Sequence, residues 1–137
     1  MTAVKELIRI EENGGISFGD YELGQKTKLA DFEYAGDIYK VKTFGEITKF
    51  EKNDTFVYES VPGTAVLGLA VTENGMTFEV SGPSDASITV ELEADSQYQV
   101  SLDGNDIGQM NTNLGGKLSF NVELDNDKDV SVAIQKV

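Results

Sequence analysis

Asp125, Asp127 and Asp129 stand at alternate positions close to the end of this 137-residue chain. Carboxylates at that spacing suit Ca²⁺, a hard cation that takes several oxygen ligands from a loop able to wrap around it. An EF-hand loop also needs Gly after the third ligand and Glu six residues further on. Here Val130 follows, and no Glu occurs after Glu123. The plainer reading is a polar hairpin turn between two strands. Asp103, Asn105 and Asp106 carry the same two readings with a weaker metal pattern. No other cofactor is called for.

Paired carboxylates could do the acid–base work of a glycosidase. Glu91/Glu93, Glu11/Glu12 and Asp103/Asp106 are the nearest pairs in sequence. Glu91 and Glu93 alternate along one strand and would share its outward face, about 7 Å apart. A solvated strand face is the better explanation, because small polar residues surround them and nothing marks a pocket. The stretch from Phe32 to Phe44 offers different chemistry. Tyr34 and Tyr39, with Tyr58 further on, stand among mixed charges, a pattern that suits recognition of a protein partner or a sugar ring. The alternative is that these rings fill a core.

The missing residue types narrow the field. The chain has no His, Cys or Trp, and Arg9 is its one arginine. The usual neutral-pH base, the commonest transition-metal ligand and all thiol chemistry are therefore absent. A serine nucleophile would have no histidine to activate it. The sequence Asn113-Leu-Gly-Gly-Lys117 lacks the spacing of a phosphate loop. Formal charge is −13, and residues 65–137 hold twelve acids against three bases. Such a field repels phosphate backbones and anionic lipid, so neither nucleic acid nor membrane is expected as a partner. The first twelve residues carry charge within their apolar stretch, unlike a secretory signal, and a cytoplasmic location is expected.

The elements that must position these groups read as strands. Apolar and polar residues alternate at Met76–Val80, Ile88–Leu92, Tyr98–Leu102, Leu118–Leu124 and Val130–Ile134. Strands near 65–72 and 106–112 complete seven. Turns fall at Glu73-Asn74-Gly75, Gly82–Asp85, Asp103–Asp106, Leu114–Lys117 and Asp125–Lys128. Residues 64–137 are therefore expected to form a seven-stranded, immunoglobulin-like β-sandwich lacking the Cys–Trp–Cys signature. Residues 1–63 are expected to form an irregular antiparallel β module. Its candidate strands are 3–10, 16–23, 29–34, 38–44, 46–51 and 55–61, and a helix over Met1–Arg9 is the weaker reading of the start. Nine of the twelve aromatics lie in this first part. Val61-Pro62-Gly63-Thr64 is the expected boundary.

Two resemblances accompany this reading. Ile88-Thr-Val-Glu-Leu-Glu, Tyr98-Gln-Val-Ser-Leu-Asp-Gly, Gly116-Lys-Leu-Ser-Phe-Asn-Val-Glu-Leu and Val130-Ser-Val-Ala-Ile together resemble the accessory β-sandwich of carbohydrate-active enzymes. With Ile16-Ser-Phe-Gly-Asp-Tyr-Glu-Leu and Phe56-Val-Tyr-Glu-Ser-Val-Pro-Gly-Thr-Ala added, the whole chain resembles a family of short, uncharacterised clostridial proteins, some labelled "endosialidase". That label implies a glycosidase. The sialidase pattern of an arginine triad, a tyrosine–glutamate pair and Ser-x-Asp-x-Gly-x-x-Trp boxes has no counterpart here, so no catalytic residue carries over. The expected function is a non-catalytic interaction or structural protein, with self-assembly through the aromatic half as one form of it. A carbohydrate-binding module is second and an endosialidase-like glycosidase third.

Overall fold

A computed structural model describes residues 3–126 and 128–137. The chain is all-β. Its strands are β1 (Ile8–Ile10), β2 (Ile16–Phe18), β3 (Thr27–Tyr34), β4 (Asp37–Phe44), β5 (Ile47–Lys52), β6 (Thr55–Val61), β7 (Ala65–Thr72), β8 (Gly75–Ser81), β9 (Ala86–Glu91), β10 (Gln97–Leu102), β11 (Asn105–Asn111), β12 (Lys117–Val122) and β13 (Val130–Lys136). They form two antiparallel sheets, ordered β1-β2-β7-β8-β13-β10-β11 and β12-β9-β6-β5-β4-β3.

The turn chemistry sets the hairpins. Ala35-Gly36, Asn53-Asp54 and Asp103-Gly104 all hold positive φ at both central residues. That is the geometry of the tight turn whose twist matches its flanking strands. Near the start the strands are shorter than the pattern predicts. Leu7, at φ 74°, donates its amide to Val4 O at 3.0 Å, and this turn delays β1 to Ile8. Gly19, at φ 97°, ends β2 after Phe18.

The seven strands of the second half divide five and two between the sheets, in place of the four-and-three division of an immunoglobulin constant domain. The first half completes both layers. β2 pairs with β7 in one sheet, and β6 pairs with β9 in the other. Val61-Pro62 is the step at which the chain leaves the six-stranded sheet for the seven-stranded one. The residues 1–63 and 64–137 thus share both sheets.

One hydrophobic cluster spans the sheets. Phe18 of β2 stacks on Phe50 of β5 with centroids 4.0 Å apart and planes 5° from parallel. Tyr39 extends that stack at 5.5 Å. Tyr58 meets Phe18 and Phe78 edge-on at 5.3 and 5.7 Å. Offset-stacked and edge contacts are the favourable ring geometries and add to the area buried.

Beside the rings runs a buried hydroxyl chain. Thr48 Oγ1 donates to Thr64 O at 2.8 Å and accepts from Thr64 N at 3.1 Å. Its one proton is then used, so Thr43 must be the donor across the 2.8 Å Thr43–Thr48 contact. Thr43 Oγ1 in turn accepts from the Asp20 amide at 2.9 Å. Tyr58 Oη and Ser60 Oγ both meet Thr64 Oγ1 at 2.7 Å. The chain can close this tightly because a Cβ at Gly19 would lie 2.5 Å from Thr64 O, and one at Gly63 2.0 Å from Phe44 O. The network ties the sheet-to-sheet step at Gly63–Thr64 to β2, β4, β5 and β6.

Candidate functional site

One end of the sandwich carries the β3–β4, β5–β6 and β7–β8 turns. A cleft of about 420 Å³ opens there, with Tyr34, Tyr39, Phe50, Lys52, Met76 and Glu91 among its lining residues. That volume is in the range of small-ligand sites. Each lining residue is placed by strand alternation. Tyr39 and Phe50 point inward from β4 and β5, Met76 inward from β8, and Lys52 and Glu91 end their strands at the rim.

Tyr34 ends β3 and is half-buried. A Cβ at Gly14 would lie 3.7 Å from Tyr34 Oη. The ring therefore reaches from the six-stranded sheet to the Asn13–Gly15 loop of the other sheet. Tyr39 is 7% exposed, and burial raises the pKa of its hydroxyl. It forms part of the cleft's floor. Tyr58 has no exposed surface, and burial raises its pKa. It belongs to the core and the hydroxyl chain rather than to any binding surface. Its alternation phase, shared with Ser60 on the inner side of β6, is the signal that marks it as core.

The rim charges are compensated. Lys52 lies 3.5 Å from Asp37, whose carboxylate also accepts from Asn53 Nδ2 at 2.9 Å. The Asn53 bond, then the Lys52 charge, lowers the Asp37 pKa. Further along the same sheet Glu91 pairs with Lys117, whose ammonium stands 4.6 Å from the centre of the Phe56 ring. Lys52 and the Asn13–Gly15 loop were not marked as site residues by sequence, and Glu91 was singled out only as the partner of Glu93. No sequence pattern joins them, since they come from three separated segments.

The carboxylate pairs come apart in space. Glu91 turns to Lys117 of β12, whereas Glu93 pairs with Lys136 of β13 in the other sheet. Glu11 accepts from Ser17 Oγ and from Arg9 Nε. The Ser17 bond, then Arg9, holds its pKa below the usual carboxylate value, so it stays ionised rather than serving as a neutral-pH acid. Asp103 accepts from Ser131 N and Asp106 from Gly108 N, both structural bonds of the β10–β11 hairpin region. The aspartate run shows turn geometry where it is described. Asp125 and Lys128 form an isolated antiparallel bridge, and Asp129 leads into β13. Asp127 lies outside the described residues. Among the described residues no group of three His, Cys, Asp or Glu side chains is placed to hold a metal.

No family model, curated protein or solved structure matches this chain. The reading of the site therefore rests on its own geometry. All twelve aromatic rings are buried or half-buried, so none offers the flat exposed platform on which a sugar ring stacks. What the site offers is an apolar and aromatic floor, a bridging tyrosine and two internally balanced ion pairs at the rim. Among the described residues no helix is long and apolar enough to cross a membrane.

Proposed function

We propose that this chain is a non-catalytic interaction protein whose inter-sheet cleft receives a small, partly apolar group of its partner. The supporting observation is the cleft itself: aromatic floor, Tyr34 spanning the sheets, and a single lining carboxylate, Glu91, already paired with Lys117. A glycosidase needs two carboxylates flanking one bond, and this cleft brings only one. The cleft's chemistry suits a ring or aliphatic side chain carried by a protein, or a sugar entering edge-on with its hydroxyls toward Lys52 and Asn13. The sugar reading is the second choice, favoured only by those polar groups at the mouth.

The test uses amide-resolved NMR of the full chain titrated with a panel of neutral and acidic mono- and disaccharides, and with short tyrosine- or leucine-bearing peptides. Shifts confined to Gly14, Gly15, Lys52 and Glu91, and lost in Tyr34→Ala, are the expected result. Saturable shifts elsewhere, unaffected by Tyr34→Ala, would remove the cleft from consideration.

A further inference from the structure

On the outer face of the six-stranded sheet, Lys28 of β3, Lys42 of β4 and Lys49 of β5 are direct cross-strand partners. Adjacent strands lie ~4.8 Å apart, so three cationic stems stand in a row about 10 Å long. Like charges placed opposite one another destabilise a sheet. The row therefore has no justification in the stability of the fold. It also holds most of the lysines that form no ion pair among the described residues. Every cation outside this region lies within 4.0 Å of a carboxylate. Among the described residues the lysines with no such ion pair are Lys26, Lys28, Lys42 and Lys49. Glu59 continues the row opposite Lys49 on β6 without closing an ion pair. Phe44 and Ile47, half-buried, and Val61, 52% exposed, flank the row with apolar surface.

The opposite outer face is its complement. There an open groove of about 500 Å³ runs over the seven-stranded sheet, lined by Gly68, Thr77, Ser131 and Ala133 and by the carboxylates of Glu11 and Glu79. Small side chains leave the space; Glu11 is already held by Arg9 at 3.0 Å and by Ser17, and Glu79 forms no ion pair among the described residues. The geometry points to a second copy of this chain as the occupant: the lysine row of one copy seats in the carboxylate groove of the next. This inference stands on the outer faces and does not rest on the cleft.

Because the two surfaces lie on opposite sides of one sandwich, the contact is heterologous and repeats in open rows rather than closing as a two-fold dimer. Two such faces overlapping fully, about 29 Å across six strands by 20 Å along them, would bury on the order of 1,100 Å² in total. That is near the lower bound of a specific interface, so the association is weak and concentration-dependent. The −13 net charge does not forbid it. At physiological salt, exposed charges beyond about 8 Å are screened, so the facing groups decide the contact.

The test is sedimentation and light scattering of the full chain over a wide concentration range at near-physiological salt, then at high salt. The average mass should rise with concentration above the 14.9 kDa monomer and fall back when salt is added. The Lys42→Glu/Lys49→Glu double variant and the Glu79→Gln variant should each stay monomeric while keeping the native circular dichroism spectrum. Mixed in equal amounts they retain one intact lysine row and one intact groove between them, so the mixture should stop at a heterodimer. A strict monomer at every concentration would overturn the inference, as would self-association unaffected by these variants or a mixture that stays monomeric. A monomeric chain that binds poly-glutamate through Lys42 and Lys49 would also overturn it, and would assign the row to a foreign acidic partner.

Discussion

Thr48→Val tests the buried hydroxyl chain with almost no change of shape. The substitution exchanges a hydroxyl for a methyl, so no cavity opens. It removes three bonds at once: the donation to Thr64 O and the acceptances from Thr64 N and Thr43 Oγ1. Thr43 and Thr64 have 0% and 0% exposure, so water cannot replace the lost partner. A buried group left unpaired costs ~1–3 kcal/mol. Thr43 can turn its proton elsewhere, so the two backbone groups of Thr64 carry most of the loss, about 3–5 kcal/mol in all. For a domain of this size that lowers the melting temperature by roughly 10–20 °C. Urea unfolding followed by far-ultraviolet circular dichroism measures it, because the chain lacks tryptophan. Thr48→Ser keeps the hydroxyl and should lose only ~1 kcal/mol for the missing methyl. Thr89→Val, which breaks the 2.8 Å Thr89–Ser119 contact on the outer face, should change stability by no more than about 0.5 kcal/mol. A Thr48→Val loss below ~1 kcal/mol would refute the assignment of the network as a clamp.

Three further outcomes are expected. Lys42→Thr removes the central like charge of the lysine row and should raise stability by ~0.2–1 kcal/mol, with an unchanged or lower melting point counting against the repulsion. Glu11→Gln should cost stability at neutral pH, because the folded pKa of Glu11 is lowered; that stability is present above the unfolded carboxylate value of ~4.3 and is lost as pH falls through the folded value, so the melting-temperature gap between variant and parent should close in acid. Tyr58 has a raised pKa from burial, so its stabilising contribution is full below the unfolded tyrosine value of ~10 and is lost as pH rises above it; tyrosinate absorbance should show its ionisation only together with unfolding, and free ionisation in the folded chain would contradict its place in the core.

The strands were legible because period-two alternation and tight-turn residues are both local signals. Ile88-Thr-Val-Glu and Leu118-Ser-Phe-Asn each show which face is wet, and Asn53-Asp54 and Asp103-Gly104 show where the chain reverses. The partnering of strands was not legible. β2 sits beside β7, and β6 beside β9, through contacts between distant segments that no local pattern encodes. The same limit explains the site. Tyr34 and Tyr39, which line the cleft, stand out in sequence as aromatic residues among charges. Lys52, Glu91 and Gly14 became neighbours only through sheet packing. Tyr58 was drawn into the expected site because ring type alone does not distinguish a core tyrosine from a surface one. Its inward phase with Ser60 does, once β6 has a partner sheet to face.

The lysine row and the cleft lie on opposite sides of the same strands. β4 sends Tyr39 and Val41 inward and Lys40 and Lys42 outward, and β5 does the same with Phe50 and Lys49. Filling the cleft therefore need not displace anything on the outer face. The two surfaces also answer to different physics. The cleft is aromatic with balanced rim charges, so ligand binding there should vary little with salt. The row is a cluster of like charges that form no ion pair among the described residues, and it should lose its partner as salt rises. Salt titration thus separates them: association that survives high salt and depends on Tyr34 belongs to the cleft, and association that salt abolishes and Lys42→Glu/Lys49→Glu removes belongs to the outer face.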